Sequence, residues 1–244
     1  MSEDNYTEKI ISLGPTCVPA EILKSASLRD CTYGFDWFRS GDYFLEVFFN
    51  QLLENFLHRC VFTPSIPLRQ KSCPTKTNLF TSGVEPLEVQ FGFNYLYNPH
   101  RDYSQKDNLD YFRRSFTRLS HVLDDKSVCK HFFIADYLNK PGSIFFHQPL
   151  QDLERVASII DNSCVYRVAP YSLTLLRIEI VRSADYICST ELIESRISDL
   201  STKRIINARI SSQLDTEGTI RNDTYKKIAE MVFDKNNQEV NSHE

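Results

Sequence analysis

Residues 131–138, HFFIADYL, followed by residues 151–162, QDLERVASIIDN, decide the fold class. The first is a short apolar and aromatic run of strand length, with no room for a helical polar face. The second sets Leu153, Val156, Ile159 and Ile160 on one side of a helix, with charged residues between them. Beyond it CVYRVA (164–169), LLRIEIV (175–181) and DYICS (185–189) read as three further strands. Strands alternating with helices predict an α/β fold, a central mixed β-sheet flanked by helices.

Upstream, KIISL (9–13) reads as a short buried strand that ends at the Gly14-Pro15 turn. Val18 to Ser25 suits a helix, because Pro19 falls in a first turn where its missing N–H costs little. Residues 42–58 carry Tyr43, Phe44, Val47, Phe48, Leu52, Phe56 and Leu57 at helical spacing and predict one long helix, with Asp42 able to cap its start. Residues 64–87 hold four prolines and few periodic apolar positions, the mark of a long connection that could serve as a lid or binding loop. Val89, Phe91 and Phe93 alternate as in a strand. A helix from about 108 to 123 follows, with Leu109, Phe112, Phe116, Leu119 and Val122 inward. A last helix spans about 219–233, and 234–244 is a polar tail. No composition shift marks a boundary, so residues 1–233 are expected to form one domain with a Pro-rich insertion at 64–87.

The bulk numbers of the 244-residue chain narrow its function. Hydrophobic residues make up 41% and charged residues 25%, as in a globular protein with a substantial core. A net charge of −4 supplies no field to collect nucleic acid or anionic membrane, so neither is expected as a partner. No window approaches the roughly 20 apolar residues of a membrane-spanning helix. The acidic start MSEDNYTEK is unlike a signal peptide, which predicts a cytoplasmic protein or one delivered without a leader. Seven scattered cysteines with no C-x-x-C pair are expected as free thiols. His58, His121, His131 and His147 show no HxH or HExxH spacing, and no P-loop, GxGxxG or GxSxG occurs. No metal and no cofactor are therefore expected.

Cys17 stands where the backbone turns from strand to helix. A thiol there feels the positive end of the helix dipole and nearby N–H groups, which favour the thiolate and can hold an oxyanion. A small buried hydrophobe would fit the same turn. In YNPHRDY (97–103), His100 could take the thiol proton and Asp102 could orient the imidazole, although the same residues also make a plausible turn. In YGFDWFRS (33–40), Phe35 and Trp37 are expected in the core. Asp36 between them, if buried, needs Arg39, Arg29, a helix N-terminus or an imidazole as partner, which makes it a second candidate for orienting His100; a turn or N-cap carboxylate is the plainer alternative. In YFRRSFTRLSH (111–121), Arg114 and Arg118 lie four apart and could hold a carboxylate or phosphate, or form a solvated face with Asp110.

The stretch SLGPTCVPAEILKSASLRDCTYGFDWFRS resembles the opening of a little-characterised family of papain-like cysteine peptidases. The matching residues are Ser12, Leu13, Gly14, Cys17, Leu28, Arg29, Phe35, Asp36 and Trp37; the family's proline before Phe-Asp-Trp is Gly34 here, which leaves the loop freer. His100 and Asp102, then Arg114 and Arg118 leading into HFFIADY, resemble its middle elements, so the likeness covers about residues 9–137. The resemblance implies Cys17 as nucleophile and His100 as base, and an α+β fold with the cysteine helix against an antiparallel barrel as the alternative to α/β. The expected function is a cysteine-nucleophile hydrolase or acyl transferase acting on a peptide, isopeptide or small amide, with Arg114, Arg118 and Trp37 on the substrate side. The alternatives are an α/β transferase or a glycan- or phosphate-binding protein without covalent catalysis, and a non-catalytic interaction module.

Overall fold

The computed structural model describes residues 7–14, 16–36, 39–40, 42–62, 80–82, 96–97, 106–137, 149–166, 171–181, 187–198, 201–211 and 222–233. The chain runs β1 (Thr7–Ser12), α1 (Val18–Ser25), β2 (Arg39–Ser40), α2 (Asp42–Phe49), α3 (Leu53–Arg59), β3 (Cys60–Phe62), β4 (Phe80–Ser82), β5 (Leu96–Tyr97) and α4 (Lys106–Asp124). It continues through β6 (Val128–Tyr137), α5 (Pro149–Asp161), β7 (Tyr171–Val181), β8 (Ile187–Ser198), β9 (Ser201–Ser211) and α6 (Asn222–Phe233).

The main sheet has the order β1-β6-β7-β9-β8. β1, β6, β7 and β9 pair in parallel, and β8 closes one edge antiparallel to β9. This is the mixed α/β sheet that the alternating pattern predicts. Parallel strands need helices on both faces, and two apolar clusters meet that need. Along β6, Phe132 and Ile134 belong to one cluster while Phe133 and Ala135 belong to the other; along β7, Leu173 and Leu175 part in the same way from Leu176 and Ile178. The first face is covered by α2, α3, α4 and α5, and the second by α1 and α6.

The first cluster is aromatic. Phe116 of α4 meets Phe35, Phe48, Phe56 and Phe112 at ring-centroid distances of 5.2, 5.3, 4.9 and 4.7 Å. Edge-to-face and tilted contacts of this kind add about 0.5–1.5 kcal/mol each beyond the area they bury. Gly34 lies against the same ring: a Cβ built there would stand 2.5 Å from Phe116 Cδ1. A side chain at position 34, proline included, would have to displace Phe116. The glycine in YGFDWF therefore serves close packing, which corrects the expectation that it loosens the loop.

Four sequence expectations change. The single helix over 42–58 is broken into α2 and α3, with Leu52 extended between them (ψ 143°) and 60% exposed instead of inward. The carbonyls at the end of α2 are taken from outside: Phe49 O accepts from Ser163 Oγ at 2.7 Å and Asn50 O from Cys164 Sγ at 3.3 Å. Those partners stand in for the N–H groups a continued helix would have offered. The expected strand 164–169 is a turn through Tyr166, whose N–H donates to Ser163 Oγ at 3.0 Å; its remainder lies outside the described residues. β9, STKRIINARIS, was not expected, because its Lys203, Arg204 and Arg209 mask a weak apolar pattern. Phe80–Ser82, inside the expected long connection, pairs antiparallel with Cys60–Phe62, while the rest of 64–87, the strand expected at 89–93 and the tail 234–244 lie outside the described residues.

Candidate functional site

β1 ends in buried Ser12 and Leu13, and the Leu13 N–H extends the ladder to Phe133 O at 3.0 Å. Gly14 then takes φ 84°, a left-handed conformation that glycine adopts without steric cost. Past this turn, Thr16 Oγ1 accepts the Val18 N–H at 3.2 Å, and Cys17 occupies the N-cap of α1 at φ −75°, ψ −6°. Its carbonyl accepts the Glu21 N–H at 3.0 Å, but its side chain makes no capping hydrogen bond. The thiol, half-buried, is thus held at the helix start without being spent on the cap. Of the first-turn donors, Val18 is engaged by Thr16, Pro19 has none and Glu21 is bonded to Cys17 itself.

Because β1, β6, β7 and β9 run parallel, Cys17 lies at the carboxyl end of β1, the end at which ligands of open α/β sheets are bound. The strand–glycine–turn–helix path that presents it resembles, in backbone logic, the sharp strand-to-helix turns that expose nucleophiles in some α/β enzymes.

Asp36 is fully buried. Its Oδ2 accepts the Tyr33 N–H at 3.0 Å and faces Arg29 Nη1 at 3.4 Å, while Oδ1 has no hydrogen-bond partner among the described residues. The residue is both a turn carboxylate and the partner of Arg29, two of the options its position between rings left open. Burial pushes its carboxyl up to about 7, against the Tyr33 N–H and the charges of Arg29 and Arg118. Upstream in the same loop, Asp30 pairs with Lys9 of β1 and accepts from Tyr33 Oη at 3.3 Å. Asp36 is flanked by Tyr33 and Phe35 of the aromatic cluster, whereas Cys17 heads the helix whose Val18, Ile22 and Leu23 belong to the opposite cluster.

Arg114 is exposed and Arg118 half-buried, so the two do not share one environment. Arg118 Nε is buried without a hydrogen-bond partner among the described residues, and its charge acts on Asp36. Arg113 reaches Asp110 at 3.9 Å on the solvated side. His100, Asp102 and Trp37 lie outside the described residues. Among the described residues no group of three metal-ligating side chains occurs, and no helix is long and apolar enough to cross a membrane.

A cluster that the sequence reading passed over lies on the α1–α6 face of the sheet. Cys129 and His131 alternate along β6 and bring Sγ to 3.9 Å from Nε2. Glu8, opposite Cys129 in the register, places Oε1 at 4.0 Å from the same nitrogen, and Ser172 Oγ is hydrogen bonded to His131 Nδ1. The C-x-H spacing in a strand was the available signal, since residues two apart share a face; Glu8 and Ser172 join only through strand register.

No family model, no curated protein and no solved structure matches the chain.

Proposed function

We propose that the protein is a cysteine-nucleophile hydrolase or acyl transferase acting on a peptide or amide bond, with Cys17 as nucleophile. The observation that carries the reading is the placement of an uncapping thiol at the start of α1, at the carboxyl end of a parallel strand. The resemblance to papain-like cysteine peptidases adds the roles of the other residues. The peptidase architecture is not part of the proposal: there the cysteine helix lies on an antiparallel barrel, whereas α1 packs on β6 of a parallel sheet.

In this reading Cys17 Sγ bonds the substrate carbonyl carbon, and the carbonyl electron pair moves onto oxygen, toward the positive end of α1. His100 accepts the thiol proton and returns it to the departing amine, leaving a thioester that water, or an acceptor nucleophile in a transferase, resolves. Asp102 orients His100. Asp36, engaged by Tyr33 and Arg29, positions its own loop instead. The absence of a disulfide among the described cysteines Cys17, Cys31, Cys60, Cys129 and Cys164 suits a protein of the reducing cytoplasm acting on a peptide, amide or small-molecule substrate.

The second reading is an α/β protein that binds a carboxylate or phosphate without covalent catalysis. Arg118 favours it, since its buried Nε has a hydrogen bond still to give.

The test is the alkylation rate of Cys17 by iodoacetamide from about pH 5 to 9, compared with a free-cysteine reference pKa of ~8.5, in the wild type and in His100→Ala. The proposal expects an apparent pKa clearly below the reference, rising when His100 is removed. A Cys17 that is unreactive, or equally reactive in both proteins, overturns it and leaves the arginine reading.

A further inference from the structure

Cys129, His131, Glu8 and Ser172 come from three neighbouring strands and project from one side of the sheet. Parity along β6 puts Cys129 and His131 on the side of Phe133, and the register sets Glu8 beside Cys129 and Ser172 beside His131. The Sγ–Nε2 separation of 3.9 Å is within sulfur hydrogen-bond reach. Cys129 is half-buried, and the side chains of His131 and Glu8 are 32% and 52% exposed, so the group opens to solvent.

We infer that Cys129 is a second reactive thiol, with His131 as its base, and that it takes soft carbon electrophiles such as α,β-unsaturated carbonyls. The parts have separate duties. Nδ1 is hydrogen bonded to Ser172 Oγ, and in the tautomer that donates Nδ1–H to it the Nε2 lone pair faces the Cys129 thiol. The Glu8 carboxylate favours the imidazolium that forms as the proton transfers. Burial pushes the Cys129 thiol up, the Glu8 charge adds to this, and Lys130 opposes it. The resting group is therefore the thiol, and reaction depends on a base at hand. Sγ bonds the β carbon of the acceptor, the double-bond pair shifts to the α carbon, and that carbon takes the proton carried by His131 Nε2. No oxidant and no leaving group are needed. The site is independent of Cys17: it lies near the amino ends of β1 and β6, whereas Cys17 follows the carboxyl end of β1.

The test treats the full chain with N-ethylmaleimide at near-neutral pH and follows each cysteine by peptide mass spectrometry, with exposed Cys164 as internal reference. Cys129 is expected to react in the folded protein, and His131→Gln to slow it on the order of a hundredfold while the Cys164 rate holds, the lower end of the range for a lost general base. Ser172→Ala, which removes the Nδ1 partner and leaves the imidazole in place, is expected to slow Cys129 by a smaller factor. Should His131→Gln fail to fold, the Ser172→Ala rate decides. A Cys129 that stays unmodified in the folded wild type, or whose rate ignores these changes, overturns the inference. Cys17→Ala is expected to leave the Cys129 rate unchanged, which separates this result from the fate of the proposed function.

Discussion

The two faces of the central sheet are built from different materials. Under α2–α5 lie Phe35, Phe48, Phe49, Phe56, Phe112, Phe116, Phe132, Tyr33, Tyr166 and Tyr171; under α1 and α6 lie mostly aliphatic side chains such as Val18, Ile22, Leu23, Leu176, Ile178 and Ile228. The two thiols proposed as reactive sit at the rims of the second face, Cys17 at the carboxyl end of β1 and Cys129 near the amino end of β6. The aromatic face holds most of the packing, so substitutions there should cost stability. The aliphatic face should tolerate changes at its two thiols while losing reactivity.

The largest effect is expected from Phe116→Ala, which removes the ring at the centre of four aromatic contacts. Loss of about 3–5 kcal/mol in denaturant unfolding is expected, the range for truncating a buried phenylalanine. A loss under about 1 kcal/mol would break the comparison, since surface changes cost that little.

Asp36 comes next. Its folded carboxyl titrates near 7 against an ordinary 3.8, so between those values the folded state holds a proton that the unfolded chain has released. Stability contributed by this group is complete below about pH 4 and is lost as pH rises toward 7, by about 4 kcal/mol at full shift. Asp36→Asn should flatten that slope, read as the difference between the two proteins' unfolding free energies across the window. Parallel curves would show that Asp36 is ionised throughout and fully compensated by Arg29 and Arg118.

Gly34→Ala should cost about 1–3 kcal/mol, the range for overpacking, because the new methyl meets the Phe116 ring. The same change in a Phe116→Ala background should cost much less, which a double-mutant cycle reads directly. Smallest is Leu52→Ser. With Leu52 60% exposed between α2 and α3, a change within about 0.5 kcal/mol is expected. A loss of about 2 kcal/mol or more would instead restore the single helix over 42–58, in which Leu52 is buried.

Much of this fold is written in local patterns. α1 was legible from Pro19 and its flanks, α4 from Phe112, Phe116 and Leu119, and α5 from Leu153, Val156 and Ile160, since each buries one stripe at helical spacing. β6 and β7 were legible as apolar runs covered on both faces. The break after Phe49 was not, because it depends on Ser163 and Cys164 reaching back across 114 residues to the end of α2. β9 was not, because pairing with β7 and β8 settles it more than its own composition does. The site divides in the same way. The need of a buried Asp36 for a partner (Arg39, Arg29, a helix N-terminus or an imidazole) followed from its position between rings, and among these Arg29 answers it. Cys129–His131–Glu8 required the register of three strands, and no stretch of sequence contains that.

Cys17, at the N-cap of α1, is the nucleophile of the proposed function. A pulse of iodoacetamide below one equivalent, quenched and read at all seven cysteines in the folded protein, tests it most directly. Cys17 is expected to be modified ahead of exposed Cys164, with Cys31, whose thiol burial pushes up, well behind. If Cys164 leads and Cys17 is labelled only after unfolding in denaturant, the Gly-Pro-Thr-Cys turn is a packing device and the claim is wrong.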